Sequence, residues 1–106
     1  MSSVRIISSR ETVIRKALEE YIAKLKVRPE VVAVYLCGSW AKGTYTPYSD
    51  VDLLILIKGD SRRPHERVPD YLPDRFPVGV DLFIYTLDEL KNNKFAQQLL
   101  SEGVEL

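Results

Sequence analysis

The most informative part of the sequence is VVAVYLCGSWAKGTYTPYSDVDLLILIK, residues 31–58. Its first part, Val31–Cys37, is a continuous run of β-branched, aromatic and other apolar side chains, which predicts a strand buried on both faces. Gly38 and Ser39 interrupt this run, and the segment that follows predicts a turn or one short helix. Residues 51–58 form a second apolar run. The stretch therefore predicts two buried strands of one sheet, joined by a tight connection.

A helix is predicted before this stretch. Ser8 and Glu11 have the S-x-x-E spacing of a capping box, and Pro29 stops the helix at its other end. Between them, apolar side chains recur at intervals of three and four residues, which predicts a helix over residues 9–26. The members of this apolar stripe are Val13, Ile14, Ala17, Leu18, Tyr21, Ile22 and Leu25.

The chain after the stretch predicts a third strand and a second long helix. Residues 78–85 (VGVDLFIY) have the composition of a strand, and Thr86 with Glu89 repeats the capping spacing, opening a helix to about residue 101. Gly103 suits the end of that helix, and residues 104–106 can add an edge strand.

The predicted fold class is α/β (α+β), a small mixed sheet with flanking helices. Residues 59–77 contain four prolines and predict a loop with at most a short helix near residues 65–71. No linker or repeat divides the chain, so residues 1–106 are expected to form a single domain.

Composition excludes several classes of protein. The 15 basic and 15 acidic side chains give a formal net charge of zero, which argues against binding nucleic acid through bulk charge. A single cysteine, Cys37, excludes an internal disulfide and a cysteine-built metal site, and a single histidine, His65, excludes a histidine-rich one. We expect no membrane segment, no signal peptide and a cytoplasmic location, because no apolar run is long enough for either.

Acidic residues interrupt the start of two apolar strands. Asp50 and Asp52 are two positions apart, so in a strand they point to the same side and their carboxylates repel. A divalent cation relieves that repulsion, and hard oxygen ligands suit Mg²⁺. Asp81 interrupts the third strand similarly, and three carboxylates can hold two metal ions, or one ion beside a base. An isolated D-x-D usually marks a solvated strand end; the placement in apolar strands favours a metal site here.

The turn at Gly38 and Ser39 predicts a phosphate site. Glycine lets the backbone approach a phosphate closely, and the Ser39 hydroxyl and nearby amides can donate to its oxygens. Such a pair alone usually marks only the end of a strand. Its combination with D-x-D on a strand–turn–strand frame strengthens the phosphate interpretation.

The pattern G-S-x-A-x-G-x5-S-D-x-D-L resembles the signature of the DNA polymerase β-like nucleotidyltransferase superfamily, and is most similar to its minimal nucleotidyltransferases. Asp81 stands where that family has a third carboxylate on a separate strand. Trp40 and Lys42 stand where many minimal members carry arginines. The positions in register are Gly38, Ser39, Ala41, Gly43, Ser49, Asp50, Asp52 and Leu53.

The resemblance implies metal-dependent transfer of a nucleoside monophosphate from a nucleoside triphosphate, with ATP as the expected donor, to a hydroxyl, with release of pyrophosphate. It implies that Asp50 and Asp52 hold Mg²⁺ on the triphosphate. Asp81 would hold a second Mg²⁺ and help deprotonate the hydroxyl. The residues implied to contact the nucleotide are Gly38, Ser39, Lys42 and Ser49.

The resemblance leaves the acceptor open. About 21 residues follow the third strand, which leaves no room for an acceptor-binding domain. We therefore expect a hydroxyl on a partner protein, or a substrate held between subunits of a homo-oligomer. Minimal members are often encoded with a small helical HEPN-type protein as a toxin–antitoxin pair, and the resemblance allows the antitoxin role. The alternative is a nucleotide-binding module that neutralises a partner protein by contact without catalysis.

Several other side chains have two interpretations each. Cys37 is expected in the core. Trp40 either stacks on a base or packs at the turn, and Tyr45 and Tyr48 either face the substrate or serve the loop. A basic segment predicts a solvated loop, with contact to the triphosphate or a partner as its alternative. It comprises Lys58, Arg62, Arg63 and Arg67.

Overall fold

The computed structural model describes residues 9–106, so Ser8, the predicted capping residue, lies outside the described part of the chain. The mixed α/β fold is confirmed. The elements in chain order are α1 (Ser9–Lys26), β1 (Val31–Cys37), α2 (Gly38–Lys42), β2 (Val51–Ile57), α3 (Pro64–Arg67), a 3₁₀ turn (Val68–Asp70), β3 (Val80–Thr86), α4 (Leu87–Asn92), α5 (Lys94–Glu102) and β4 (Val104–Glu105).

The four strands form one mixed sheet in the order β3-β2-β1-β4. β1 pairs antiparallel with β2 and with β4, whereas β2 and β3 are parallel. The end of β1 therefore lies at the same edge of the sheet as the starts of β2 and β3. That edge carries every acidic residue of the predicted site.

The sheet is covered on both faces. On one face α1 contributes Ile14 and Leu25 to a core that includes Leu53 and Ile55 of β2. On the other face the alternate residues of β2 pack with Ala96 of α5. Burial of β1 is less complete than predicted: Val32 is 47% exposed, and it lies at an irregularity where the β1–β2 register shifts between Val31 and Ala33.

The predicted C-terminal helix is two helices. Asn93 leaves the helical conformation (φ −111°, ψ 108°), and its side chain accepts a hydrogen bond of 2.9 Å from the Ala96 amide, which starts α5 anew. Asparagine is among the best N-cap residues, and this local preference ends α4. The capping box at the start of α4 is confirmed: Thr86 accepts from the Glu89 amide, and Glu89 accepts from the Thr86 amide.

The basic loop segment is only partly solvated. Arg67 is fully buried, and its guanidinium donates to both carboxylate oxygens of Glu89, at 2.6 and 2.9 Å. It also donates to the carbonyl oxygens of Ile84, Asp60 and Arg62. A charge buried this way needs several partners, and here they tie the proline-rich loop to the end of β3.

Within residues 9–106, no helix has the length and apolar character needed to cross a membrane.

Candidate active site

The two carboxylates inside the strands are neighbours across the sheet. Asp52 of β2 faces Asp81 of β3 in parallel register, and Cys37 of β1 faces Asp52 on its other side. Side chains at facing positions of paired strands lie on one face of a sheet. Asp52 and Asp81 therefore project together on the face that α5 covers further along the strands.

The environment of Asp52 opposes its charge. The side chain is partly buried, and this desolvation raises the pKa of the Asp52 carboxyl. The neighbouring charge of Asp81, a hydrogen bond to Asp81 and the charge of Asp50 raise the pKa further. Within the described part of the chain, no lysine or arginine forms an ion pair with any of these three carboxylates.

Two of the three carboxylates, those of Asp52 and Asp81, face each other in register, and Asp50 lies outside this pair. Asp50 is exposed, lies one residue before β2, and acts on Asp52 through its charge alone. Across residues 9–106, no three His, Cys, Asp or Glu side chains are spaced as a ready metal site. The donor set still fits a hard divalent cation, because Asp52 and Asp81 offer adjacent carboxylate oxygens whose repulsion a cation would relieve.

The glycine–serine turn lies directly against Asp52. α2 begins at Gly38, whose φ of +64° suits glycine, and Cys37 provides no side-chain cap for its first amides. A Cβ built on Gly38 would stand 2.2 Å from the Asp52 Oδ2 atom. A side chain at residue 38 would therefore collide with the Asp52 carboxylate. Ser39 is the first residue of the turn that has room for a side chain.

Lys42 and Ser49 have partners of their own. The Lys42 ammonium lies 3.7 Å from a carboxylate oxygen of Glu102, which bridges α2 and α5 on the exposed surface. The Ser49 hydroxyl accepts a hydrogen bond of 2.8 Å from the Thr46 amide and so closes the turn before Asp50. The structure thus gives Ser49 a role in the turn, and Lys42 lies at the exposed C-terminal end of α2.

Aromatic side chains build the connection between the turn and β2. Trp40 is buried, donates its ring N–H to the Ser49 carbonyl oxygen at 3.0 Å, and stacks on Tyr45 with ring centroids 4.1 Å apart. Packing at the turn is therefore the confirmed interpretation for Trp40. Tyr48 remains 75% exposed.

Two arginines of α1, which sequence patterns did not single out, hold the same connection. Arg10 donates to the carbonyl oxygens of Pro47 and Pro77, at 2.8 and 3.1 Å. Arg15 donates to the Tyr45 hydroxyl at 2.6 Å. Sequence patterns gave no signal for these contacts, because the carbonyl and hydroxyl partners lie at least 30 residues away; the second contact of Arg15, with Glu11, is local.

A cavity of about 470 Å³ lies elsewhere, between the second half of α1 and residues 70–75. Asp50, Asp52 and Asp81 do not line it. The carboxylate pair instead lies on an open edge of the sheet, so a ligand there would be held mainly by the turn and the acidic side chains.

Comparisons with known proteins show what the whole domain is similar to. A sequence model of the nucleotidyltransferase domain matches residues 14–106. The chain is 36% identical over 59 residues to a Methanocaldococcus jannaschii protein named "putative protein adenylyltransferase", a match covering 54% of this chain and 40% of that protein.

A crystal structure described as that of a "putative nucleotidyltransferase" from Sulfolobus solfataricus has the same fold. Its TM-score is 0.65 at 22% sequence identity, with 97% of this chain and 90% of that chain covered. The family model spans the glycine–serine turn, Asp50, and the two strands that carry Asp52 and Asp81. The chain therefore belongs to the nucleotidyltransferase domain family.

Proposed function

We propose that the domain transfers a nucleoside monophosphate from a nucleoside triphosphate, with ATP as donor, to a hydroxyl group of a protein. The observation that carries the proposal is the Asp52–Asp81 pair, held in register at the sheet edge beside the Gly38 turn. A protein acceptor is supported by the name of the M. jannaschii relative, of whose length the match spans 40%.

The family resemblance supplies the proposed roles of the acidic residues. Asp50 and Asp52 would hold Mg²⁺ on the triphosphate, and Asp81 would help hold a second ion. Bound Mg²⁺ neutralises the charge that develops on the phosphate oxygens. Asp81 is more exposed than Asp52, so it is better placed to accept the proton of the incoming hydroxyl.

The reaction balances without any further reagent. The acceptor oxygen forms a bond to the α-phosphorus, the bond between the α-phosphorus and the bridging oxygen breaks, and pyrophosphate leaves. Gly38 leaves room for the Asp52 carboxylate, and the Ser39 hydroxyl and the amides at the start of α2 would donate to the phosphate oxygens. Alignment and charge neutralisation supply most of the catalysis in such transfers.

The test measures transfer from ATP labelled at the α-phosphate in the presence of Mg²⁺, with proteins encoded beside this chain as acceptors. Asp52→Asn and Asp81→Asn should abolish labelling. Ser39→Ala should reduce it by about 2- to 13-fold, the equivalent of one neutral hydrogen bond of roughly 0.5–1.5 kcal/mol. Asp88→Asn, at an exposed position of α4, is the matched control and should behave as wild type.

The cellular role is part of the proposal. A small helical HEPN-type partner, with this chain as the cytoplasmic antitoxin, would supply the acceptor hydroxyl. The rival role is neutralisation by contact alone. Co-expression of the partner with the Asp52→Asn variant separates the two: a catalytic antitoxin loses protection, whereas a contact antitoxin keeps it. Undiminished labelling by either aspartate variant would contradict the catalytic assignment.

A further inference from the structure

Two glycines of the sheet edge each lie against a carboxylate. Gly38 lies against Asp52, and its positive φ requires glycine for the backbone alone. Gly79 lies against Asp50: a Cβ built on it would stand 2.5 Å from the Asp50 Oδ1 atom and 2.9 Å from its Cγ atom. The positive-φ glycines of the described chain are Gly38 and Gly43, so the backbone conformation does not demand glycine at residue 79.

We infer that Gly79 is a positioning residue for Asp50, because its lack of a side chain keeps open the space in which the Asp50 carboxylate lies. The inference rests on the proposed function, in which Asp50 holds a metal ion. It adds a residue outside the G-S and D-x-D pattern to the site.

The backbone around Gly79 cannot easily move away. The Val51 amide donates to the Gly79 carbonyl oxygen at 2.9 Å, and the next register pair is Val51 with Val80. This is the first link of the parallel β2–β3 ladder. Any shift of Gly79 away from Asp50 would therefore pull on the pairing that also aligns Asp52 with Asp81.

The carboxylate is the part that gives way when a methyl group is added. Asp50 is exposed and short, so its side chain can rotate into solvent while the strands stay paired. Ordinary contact begins at 3.4 Å, so the Oδ1 atom must retreat by about 0.9 Å from its 2.5 Å position. Displacements of about 1 Å in a reacting site can reduce rates about 100-fold.

The experiment compares Gly79→Ala with Gly59→Ala. Gly59 is the matched control, since a Cβ built there meets nothing within 4 Å and its φ is not positive. Both variants change the unfolded chain equally. We expect Gly79→Ala to weaken binding of Mg²⁺ and ATP at least tenfold by calorimetry, and Gly59→Ala to leave it within twofold of wild type.

A double-mutant cycle assigns the effect to Asp50. In the Asp50→Ala background, Gly79→Ala should add no further loss of affinity, because the displaced group is absent. A full loss in that background would show that Gly79 acts on the fold instead and would overturn the inference. So would wild-type affinity in the single variant.

A crystal structure of metal-free Gly79→Ala decides the inference independently of ligand binding. The expected result is an Asp50 carboxylate displaced by about 0.9 Å or more, with the β2–β3 backbone within a few tenths of an ångström of wild type. An unmoved carboxylate beside a shifted strand would refute the positioning role. Failure of wild type to bind Mg²⁺ and ATP would instead refute the proposed function, and leave the geometric result standing.

Discussion

Replacing Asp52 by asparagine should make the metal-free protein more stable while it removes activity. The change keeps the size of the side chain and removes one of two facing carboxylate charges. The new amide can also donate a hydrogen bond to the facing Asp81 carboxylate.

The magnitude follows from the sheet geometry. Facing residues on adjacent strands are about 5 Å apart, where two unit charges repel by about 3 kcal/mol at an effective dielectric constant of 20 and by about 0.8 kcal/mol in water. Asp81 is exposed and Asp52 partly buried, so an intermediate gain of about 1–2 kcal/mol is expected. For a domain of this size, that corresponds to roughly 5–15 °C in Tm.

The stability that Asp52→Asn adds to the metal-free protein should decrease as the pH is lowered. The pKa of the Asp52 carboxyl is raised in the folded state by burial and then by its acidic neighbours. The folded protein therefore binds this proton more tightly than the unfolded chain, and stability falls as pH rises from the unfolded pKa, near 3.8, through the folded one. The advantage of Asp52→Asn should be full at pH 7 and should shrink towards pH 4.

The assay is thermal unfolding in EDTA at pH 7 and pH 4, at constant ionic strength so that general screening is held fixed. A second series contains Mg²⁺ and ATP, where wild type should gain stability by mass action and the variant should not. Asp88→Asn is the control, because its carboxylate is 92% exposed and pairs with Lys91. A metal-free Asp52→Asn protein no more stable than wild type would refute the claim of repulsion at the site.

Three further outcomes are expected. Gly38→Ala should destabilise the fold more than Gly43→Ala in thermal melts. Both variants replace a positive-φ glycine, but only the Cβ at residue 38 meets a carboxylate oxygen, at 2.2 Å. Equal losses of stability would show that the clash with Asp52 contributes nothing. Arg67→Met should cost about 3–5 kcal/mol in urea unfolding, because it removes the cationic partner of the half-buried Glu89 carboxylate. Arg63→Met, at an exposed position, should be near neutral. Burial raises the pKa of Tyr21 to about 12, so the folded state resists its ionisation and stability should decline as pH rises above about 10; a flat profile to pH 12 would contradict this.

Local sequence determined the regular elements of this protein. The helix predicted over residues 9–26 is α1, and the capping pair at Thr86 and Glu89 starts α4 as predicted. Helical periodicity and capping act over three or four residues, so they survive in the sequence without knowledge of the fold. The apolar runs of β1 and β2 are equally local, and the observed strands match them. The same kind of signal was insufficient at Asn93, where a capping preference competed with helix continuation.

Tertiary structure alone decided which distant residues meet. That Asp52 faces Asp81 depends on the parallel register of β2 and β3, which a shift of one residue would abolish. The burial of Arg67 depends on Glu89, 22 residues away, and the space at Gly79 matters only because Asp50 lies across the ladder. Such contacts arise from strand pairing and packing, and no spacing within one segment encodes them. The acidic residues were therefore visible in the sequence, whereas their pairing required the sheet that brings them to one edge.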